Sequence, residues 1–179
     1  MIEYTIPRPA SGDVVDLILD DHRFFEELLR DMRDATADRA AARAAFAAVL
    51  IAHGEAEETE VYPKLVTKDA IEEEDSEHSE HEHAEGNQAL LDLLECAGTE
   101  TQKFDDAVET MAQTLGHHMT EEEQSILNPA RTEVSEQTRQ QLGAAFLRVR
   151  TQQLDADCGN IENVRRIVER DRKEGKLEE

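Results

Sequence analysis

Two segments of the chain place a histidine and a glutamate one helical turn apart: HGEAEETEVYP from His53 and HMTEEEQSILNP from His118. Each reads H-x3-E-E, then two residues, a branched apolar side chain and a proline close behind. On a helix, residues i and i+4 project from the same face. His53 with Glu57, and His118 with Glu122, therefore bring an imidazole nitrogen and a carboxylate oxygen toward one point. Those are the donors of a hard or borderline divalent metal. A lone pair of this kind in a Glu-rich helical chain is usually a surface hydrogen bond. Burial distinguishes the two readings. Phe46, Leu50 and His53 follow one helical stripe, as do Phe104, Val108, Met111, Leu115, His118, Glu122 and Ile126. A buried carboxylate costs several kcal/mol unless a counter-charge accompanies it, and no Arg or Lys is expected at a comparable stripe position.

Two further segments add donors. His22 lies on the stripe Val15, Ile18, His22, Phe25, Leu29 and Met32; alone, it reads as a core histidine bonded to a backbone carbonyl. The run EDSEHSEHEHAEGNQALLDLL offers His78, His81 and His83. His83 shares its face with Leu90, Leu94 and Ala97, whereas His81 looks toward Gln88, Asp92 and Glu95, so His83 is the choice among the three. His78, His81 and His117 read as solvated bystanders, and Tyr62, near the lower end of the site, as a packing residue or a redox partner. In an antiparallel bundle His22, His53 and His118 stand at one level, roughly 14–15 Å above the floor, with Glu57 and Glu122 roughly 6 Å lower. The height of His83 depends on whether its helix starts at Asp69 or Ser76. Four histidines and two carboxylates exceed the needs of one tetrahedral zinc and suit two iron or manganese ions with open positions.

The elements that must position these donors are all helices. Ala, Leu, Glu and Arg are abundant, Gly and Pro are scarce, and nothing reads as a strand. Residues 1–12, with two prolines and a glycine, form an extended lead-in. Ser11 caps a helix of about 13–35, and an Ala-rich second helix ends at Pro63. A third runs from between Asp69 and Ser76 to Gly98, and a fourth, capped by TETQ at Thr99–Gln102, ends near Asn128-Pro129. Helices of about 133–154 and 160–174 follow, with a fraying tail KEGKLEE. Short turns favour antiparallel neighbours. The expected fold is all-α: an up-down-up-down four-helix bundle over 13–131 with a C-terminal helical extension over 132–179, packed across the bundle or used for self-association.

Charge narrows the partners. A net charge of −23 argues against nucleic acid, whose phosphates need clustered Lys and Arg, and equally against anionic membrane surfaces. Cys96 and Cys158 stand in no metal-binding spacing and read as reduced thiols. Without a signal-like or membrane-spanning run, a cytoplasmic location is expected.

The segments DDHRFFEELL, HGEAEETEVYP, EHAEGNQALLDLL and HMTEEEQSILNPAR, in that order over residues 13–131, resemble the hemerythrin-like HHE cation-binding family. The resemblance implies a four-helix bundle with a non-haem di-iron centre, with His22, His53, Glu57, His83, His118 and Glu122 as ligands and iron ahead of manganese or zinc. The chain departs from the invertebrate oxygen carriers. Ser79 and Asn87 flank His83 where the carriers have a second histidine one turn away, and H-x3-E replaces their H-x4-D. A site with one histidine fewer is harder and favours oxidised metals, which argues against simple reversible oxygen carriage. Ferritin-like proteins, with E-x-x-H, are less similar. The expected function is binding of dioxygen, nitric oxide or peroxide for sensing, storage or detoxification. The alternatives are an enzyme with catalase-like or iron-oxidase activity, and an acidic helical interaction module without metal chemistry.

Overall fold

The computed structural model describes residues 4–177, and among them every regular element is helical. The helices are α1 (Val14–Arg33), α2 (Arg39–Ala56), α3 (Tyr62–Thr67), α4 (Glu73–Leu94), α5 (Gln102–Glu122), α6 (Asn128–Glu133), α7 (Glu136–Asp155) and α8 (Ile161–Lys173). Wider π-helical turns at Glu57–Val61 and Glu123–Leu127 join α2 to α3 and α5 to α6, so the eight segments form six rods. The rods led by α1, α2, α4 and α5 touch in sequence and close on one another, making the bundle. No helix among the described residues is long and apolar enough to cross a membrane.

The caps follow local chemistry but shift from several expected residues. Asp13, not Ser11, caps α1, accepting from the Val15 N–H at 3.0 Å. Thr101, not Thr99, caps α5 through the Phe104 N–H. Helix α4 starts from a capping box of Glu72 and Asp75 and stops at Leu94, short of Gly98.

Neither proline ends its rod. Pro63 and Pro129 each fall six residues after the first residue of a π turn. Proline inside an α-helix clashes with the carbonyl four residues back, and these are Thr59 and Ser125, in the middle of the two turns. The i→i−5 bonds from Tyr62 N–H to Glu57 O and from Asn128 N–H to Glu123 O widen the backbone there, and the chain continues.

The C-terminal extension packs on the bundle. Helix α7 lies along α1 and α2, and α8 against α4. Two glycines permit the contact. A Cβ on Gly143 would meet Gly12 O at 1.9 Å, and one on Gly159 would meet Ala48 N at 2.4 Å. The lead-in is held as well: Tyr4 donates to Asp31 at 2.7 Å and the Pro7 carbonyl accepts from Arg150 at 2.9 Å. The expected fraying of the tail is not seen through Leu177. Gly175, at φ 75°, ends α8, the Lys176 N–H returns to Asp171 O, and the Lys176 ammonium lies 3.0 Å from Glu80. Residues 1–3 of the lead-in and 178–179 of the tail lie outside the described residues.

The apolar interior falls into two clusters. One is built around Phe25, Phe46, Leu90, Phe104 and Met111, the other around Ile18, Val61, Leu65, Ile126 and Phe146. The stripe histidines and glutamates occupy the layer between them.

Candidate metal centre

Each of the four central rods contributes to this layer: α1 His22, α2 His53, the first π turn Glu57, α4 His83, and α5 His118 and Glu122. All six side chains predicted from sequence converge. Five are buried, Glu57 and Glu122 completely, and His83 is 9% exposed. They form two groups, His22, His53, Glu57 and Glu122 in one, Glu57, His83 and His118 in the other, and within each group one ligand atom per residue lies within 4.8 Å of the others. Glu57 belongs to both. Its Oε1 is 3.0 Å from His53 Nε2 and its Oε2 3.3 Å from His83 Nε2. Glu122 Oε2 is 3.2 Å from His22 Nε2 and 3.8 Å from His118 Nε2.

These short distances are not hydrogen bonds. His22 Nε2, His53 Nε2, Glu57 Oε1 and Glu122 Oε2 are all buried without a hydrogen-bond partner, despite facing one another at 3.0–3.2 Å. Distance permits a bond and direction does not, as for donors turned toward a common point. Buried polar atoms are rarely left in this state. An imidazole and carboxylate donor set with orphaned atoms fits a cation.

Each ring turns its reverse edge to a carboxylate, and three of the four are hydrogen-bonded there, while His22 Nδ1 has no partner. His53 Nδ1 faces Asp21 at 3.1 Å, His83 Nδ1 faces Glu58 at 2.8 Å, His118 Nδ1 faces Glu82 at 3.0 Å, and His22 Nδ1 faces Glu123 at 3.6 Å. A carboxylate behind Nδ1 fixes the ring and leaves Nε2 free for a metal. Each of these acids is the chain neighbour of a ligand on the preceding rod: Asp21 beside His22, Glu58 beside Glu57, Glu82 beside His83, Glu123 beside Glu122. Three rods thus each hold the histidine of the next by a hydrogen bond, and Glu123 approaches His22 without bonding it. Sequence reasoning missed these acids, although on each rod one donor has an acid beside it in the sequence. Consecutive helical residues point in different directions, so the neighbour of a core ligand faces the next rod.

No Arg or Lys was expected at a comparable stripe position, yet Arg150 and Arg39 are both buried. Arg150, only 1% exposed, donates Nε to Asp21 Oδ2 at 2.8 Å and Nη2 to Asp21 Oδ1 at 2.7 Å. Arg39 is 6% exposed and donates to Met32 O at 2.7 Å and to Asp105, away from the site. At the site itself, Glu57, Glu122, Asp21 and Glu82 outnumber Arg150. Burial would raise the Glu57 carboxyl, but His53 and His83 outweigh it and hold it well below the usual range. Burial would lower His53, but Glu57 and Asp21 push it up to about 10. Protons are drawn to where a cation would sit.

Tyr62 is part of this centre. At 3.6 residues per turn, a residue five beyond Glu57 points roughly 140° away from it; the π turn reduces that divergence. The Tyr62 hydroxyl donates to Glu122 Oε1 at 2.8 Å and stands 3.3 Å from Glu57 Oε2 and 3.4 Å from His83 Nε2. Burial, Glu122 and Glu57 raise its pKa well above 10, so it remains a donor. Phe25 and Phe146 present edges to His53 with ring centroids at 5.2 and 5.7 Å. A cavity of about 30 Å³ is lined by His53, His83 and His118, by Gly86, and by Ile167 and Arg170 of α8. That volume accommodates a molecule of water or diatomic size.

His81 bonds the Glu77 carbonyl of its own helix and stays outside the centre. His78 and His117 are also exposed, but they share Glu82 and Glu121. The Glu121 hydrogen bond raises the His78 imidazole above its ordinary value.

The family model of the hemerythrin HHE cation binding domain matches residues 13–130. No curated protein and no solved structure matches the chain. The match spans well over half of the chain and takes in all six converging donors and the carboxylates beside them; the chain belongs to the hemerythrin HHE cation-binding domain family.

Proposed function

We propose that the chain is a hemerythrin-like di-iron protein that binds dioxygen, nitric oxide or peroxide for sensing, storage or detoxification. The observation that carries this reading is the shared carboxylate. Glu57 presents one oxygen to His22, His53 and Glu122 and contributes to the second group with His83 and His118, so the donor set serves a pair of cations. Imidazole and carboxylate donors without thiolate are compatible with iron, manganese or zinc, and iron is placed first on the family resemblance. Bound iron would supply open positions for a small ligand. The chain itself does the rest. Carboxylates behind Nδ1 orient the rings, Phe25 and Phe146 exclude water beside His53, Tyr62 holds Glu122 by a hydrogen bond, and the cavity past Gly86 gives small molecules a path.

The test is iron-loaded protein titrated with azide and with nitric oxide. Saturable changes in charge-transfer absorption, lost in His118→Ala, support the reading; iron-loaded protein that ignores both ligands sinks it.

A second reading is turnover of peroxide at the same ligands. Tyr62, a buried hydroxyl within 3.3 Å of Glu57 and 2.8 Å of Glu122, favours it by placing a proton donor inside the centre. It predicts sustained oxygen evolution from peroxide at catalytic protein concentrations, slowed in Tyr62→Phe. A binding protein would show no such turnover.

A further inference from the structure

A second cluster of metal-ligating side chains lies on the α4–α5 face, outside the ring of ligands. His78 Nε2 is 2.9 Å from Glu121 Oε2 and 3.7 Å from Glu82 Oε1. His117 Nε2 is 3.2 Å from Glu121 Oε1 and 3.4 Å from Glu82 Oε1. We propose that His78, His117, Glu82 and Glu121 form a separate site for a divalent cation of the zinc class.

Glu82 carries the argument. Its side chain is 7% exposed, and Oε2 is engaged by His118 Nδ1 at 3.0 Å. Oε1 is buried without a hydrogen-bond partner and faces the two exposed imidazoles. Solvated His–Glu pairs would account for His78, His117 and Glu121, whose side chains are 57%, 64% and 42% exposed. They do not account for an orphaned carboxylate oxygen between them, because an unsatisfied buried acceptor is costly. A cation accounts for it. His78, Glu82 and Glu121 each offer one ligand atom within 4.8 Å of the others, and His117 Nε2 stands beside them at 3.2 Å from Glu121 and 3.4 Å from Glu82. Two imidazoles with two carboxylates suit zinc and its analogue cobalt. The three exposed partners admit the ion from solution, and the fourth is preset by His118.

The experiment titrates Zn²⁺ into tag-free, iron-loaded protein by calorimetry and compares wild type with His78→Ala/His117→Ala. Both replaced side chains are exposed, so helix content and central iron are expected to persist. Wild type takes up one equivalent beyond the central metals, and the double variant binds it at least about tenfold more weakly. His81→Ala, on the same helix, leaves the uptake unchanged. Co²⁺ in place of Zn²⁺ gives a tetrahedral absorption band in wild type that the double variant lacks. Equal uptake by wild type and the double variant, or no uptake beyond the central metals, overturns the proposal. The comparison is a difference between two chains, read the same way if the central site holds iron, zinc or nothing, so its failure is distinct from failure of the di-iron reading.

Discussion

Arg150 of α7 grips Asp21 of α1 through paired hydrogen bonds of 2.8 and 2.7 Å, and Asp21 in turn faces His53 Nδ1 at 3.1 Å. Arg150 lies beyond residues 13–130, the span of the family match, so a residue of the C-terminal extension supports the His53 imidazole at one remove. Burial would raise the Asp21 carboxyl, but His53 and Arg150 outweigh it and keep it lowered and charged. Arg150→Met should therefore leave Asp21 buried without its main partner. The expected loss is about 3–5 kcal/mol in denaturant unfolding, with weaker metal retention. Asp21→Asn/Arg150→Met should recover part of both, because the stranded charge is gone.

Tyr62→Phe keeps the aromatic packing and removes the donor to Glu122 Oε1. The variant should fold, retain its metal, and lose about 1–3 kcal/mol through the unsatisfied carboxylate oxygen. Its charge-transfer spectrum should shift relative to wild type. An unchanged spectrum and stability would show that the hydroxyl does not interact with Glu122 in solution.

Gly86 tests the access route. A Cβ there meets nothing within 4 Å, so Gly86→Ala should be accepted and should stabilise α4 by up to about 1 kcal/mol. Gly86→Leu should fill the cavity beside His53, His83 and His118. Metal content should hold while azide binding, followed by stopped-flow absorbance, slows. Azide rates equal to wild type would place the entrance elsewhere.

The metal-free chain should respond to pH with a definite sign. Burial opposes protonation of His53, but Glu57 and Asp21 raise its pKa from 6.5 to about 10. A group raised on folding contributes stability that is fully present below its unfolded pKa and lost as pH rises through its folded pKa. The thermal midpoint of chelator-stripped protein should fall between pH 6.5 and about 10. Metal-loaded protein should resist this, because a cation rather than a proton then satisfies Nε2. Metal uptake displaces the proton, so affinity should strengthen as pH rises through the same window. A stripped protein with a flat midpoint across it would contradict the charge balance described for the centre.

The bundle and its six central donors were legible because core stripes report inward-facing residues whatever their chemistry. His22, His53, His118 and Glu122 stood where Leu or Val was due. What stayed hidden lies off those stripes. Asp21, Glu58, Glu82 and Glu123 adjoin ligands in sequence and point to neighbouring rods, a direction that one helix's periodicity assigns to solvent. Arg150 sits in the polar stretch RVRTQQLD and is buried only because α7 lies across α1 and α2. The helix ends at Pro63 and Pro129 were misplaced because the prolines' effect falls on the upstream turn, which widens instead of breaking. That widening also brings Tyr62 into the centre. His78 and His117 looked solvated, and they are exposed, but Glu82 between them is not.

Metal analysis of freshly purified, tag-free protein, paired with its optical spectrum and repeated on Glu57→Gln, tests the pairing of cations most directly. Wild type should hold two iron ions per chain with charge-transfer absorption, and Glu57→Gln should lose at least one of them together with the band. Wild type with well under one iron per chain and no such band, or a Glu57→Gln variant with its full complement, would contradict the account.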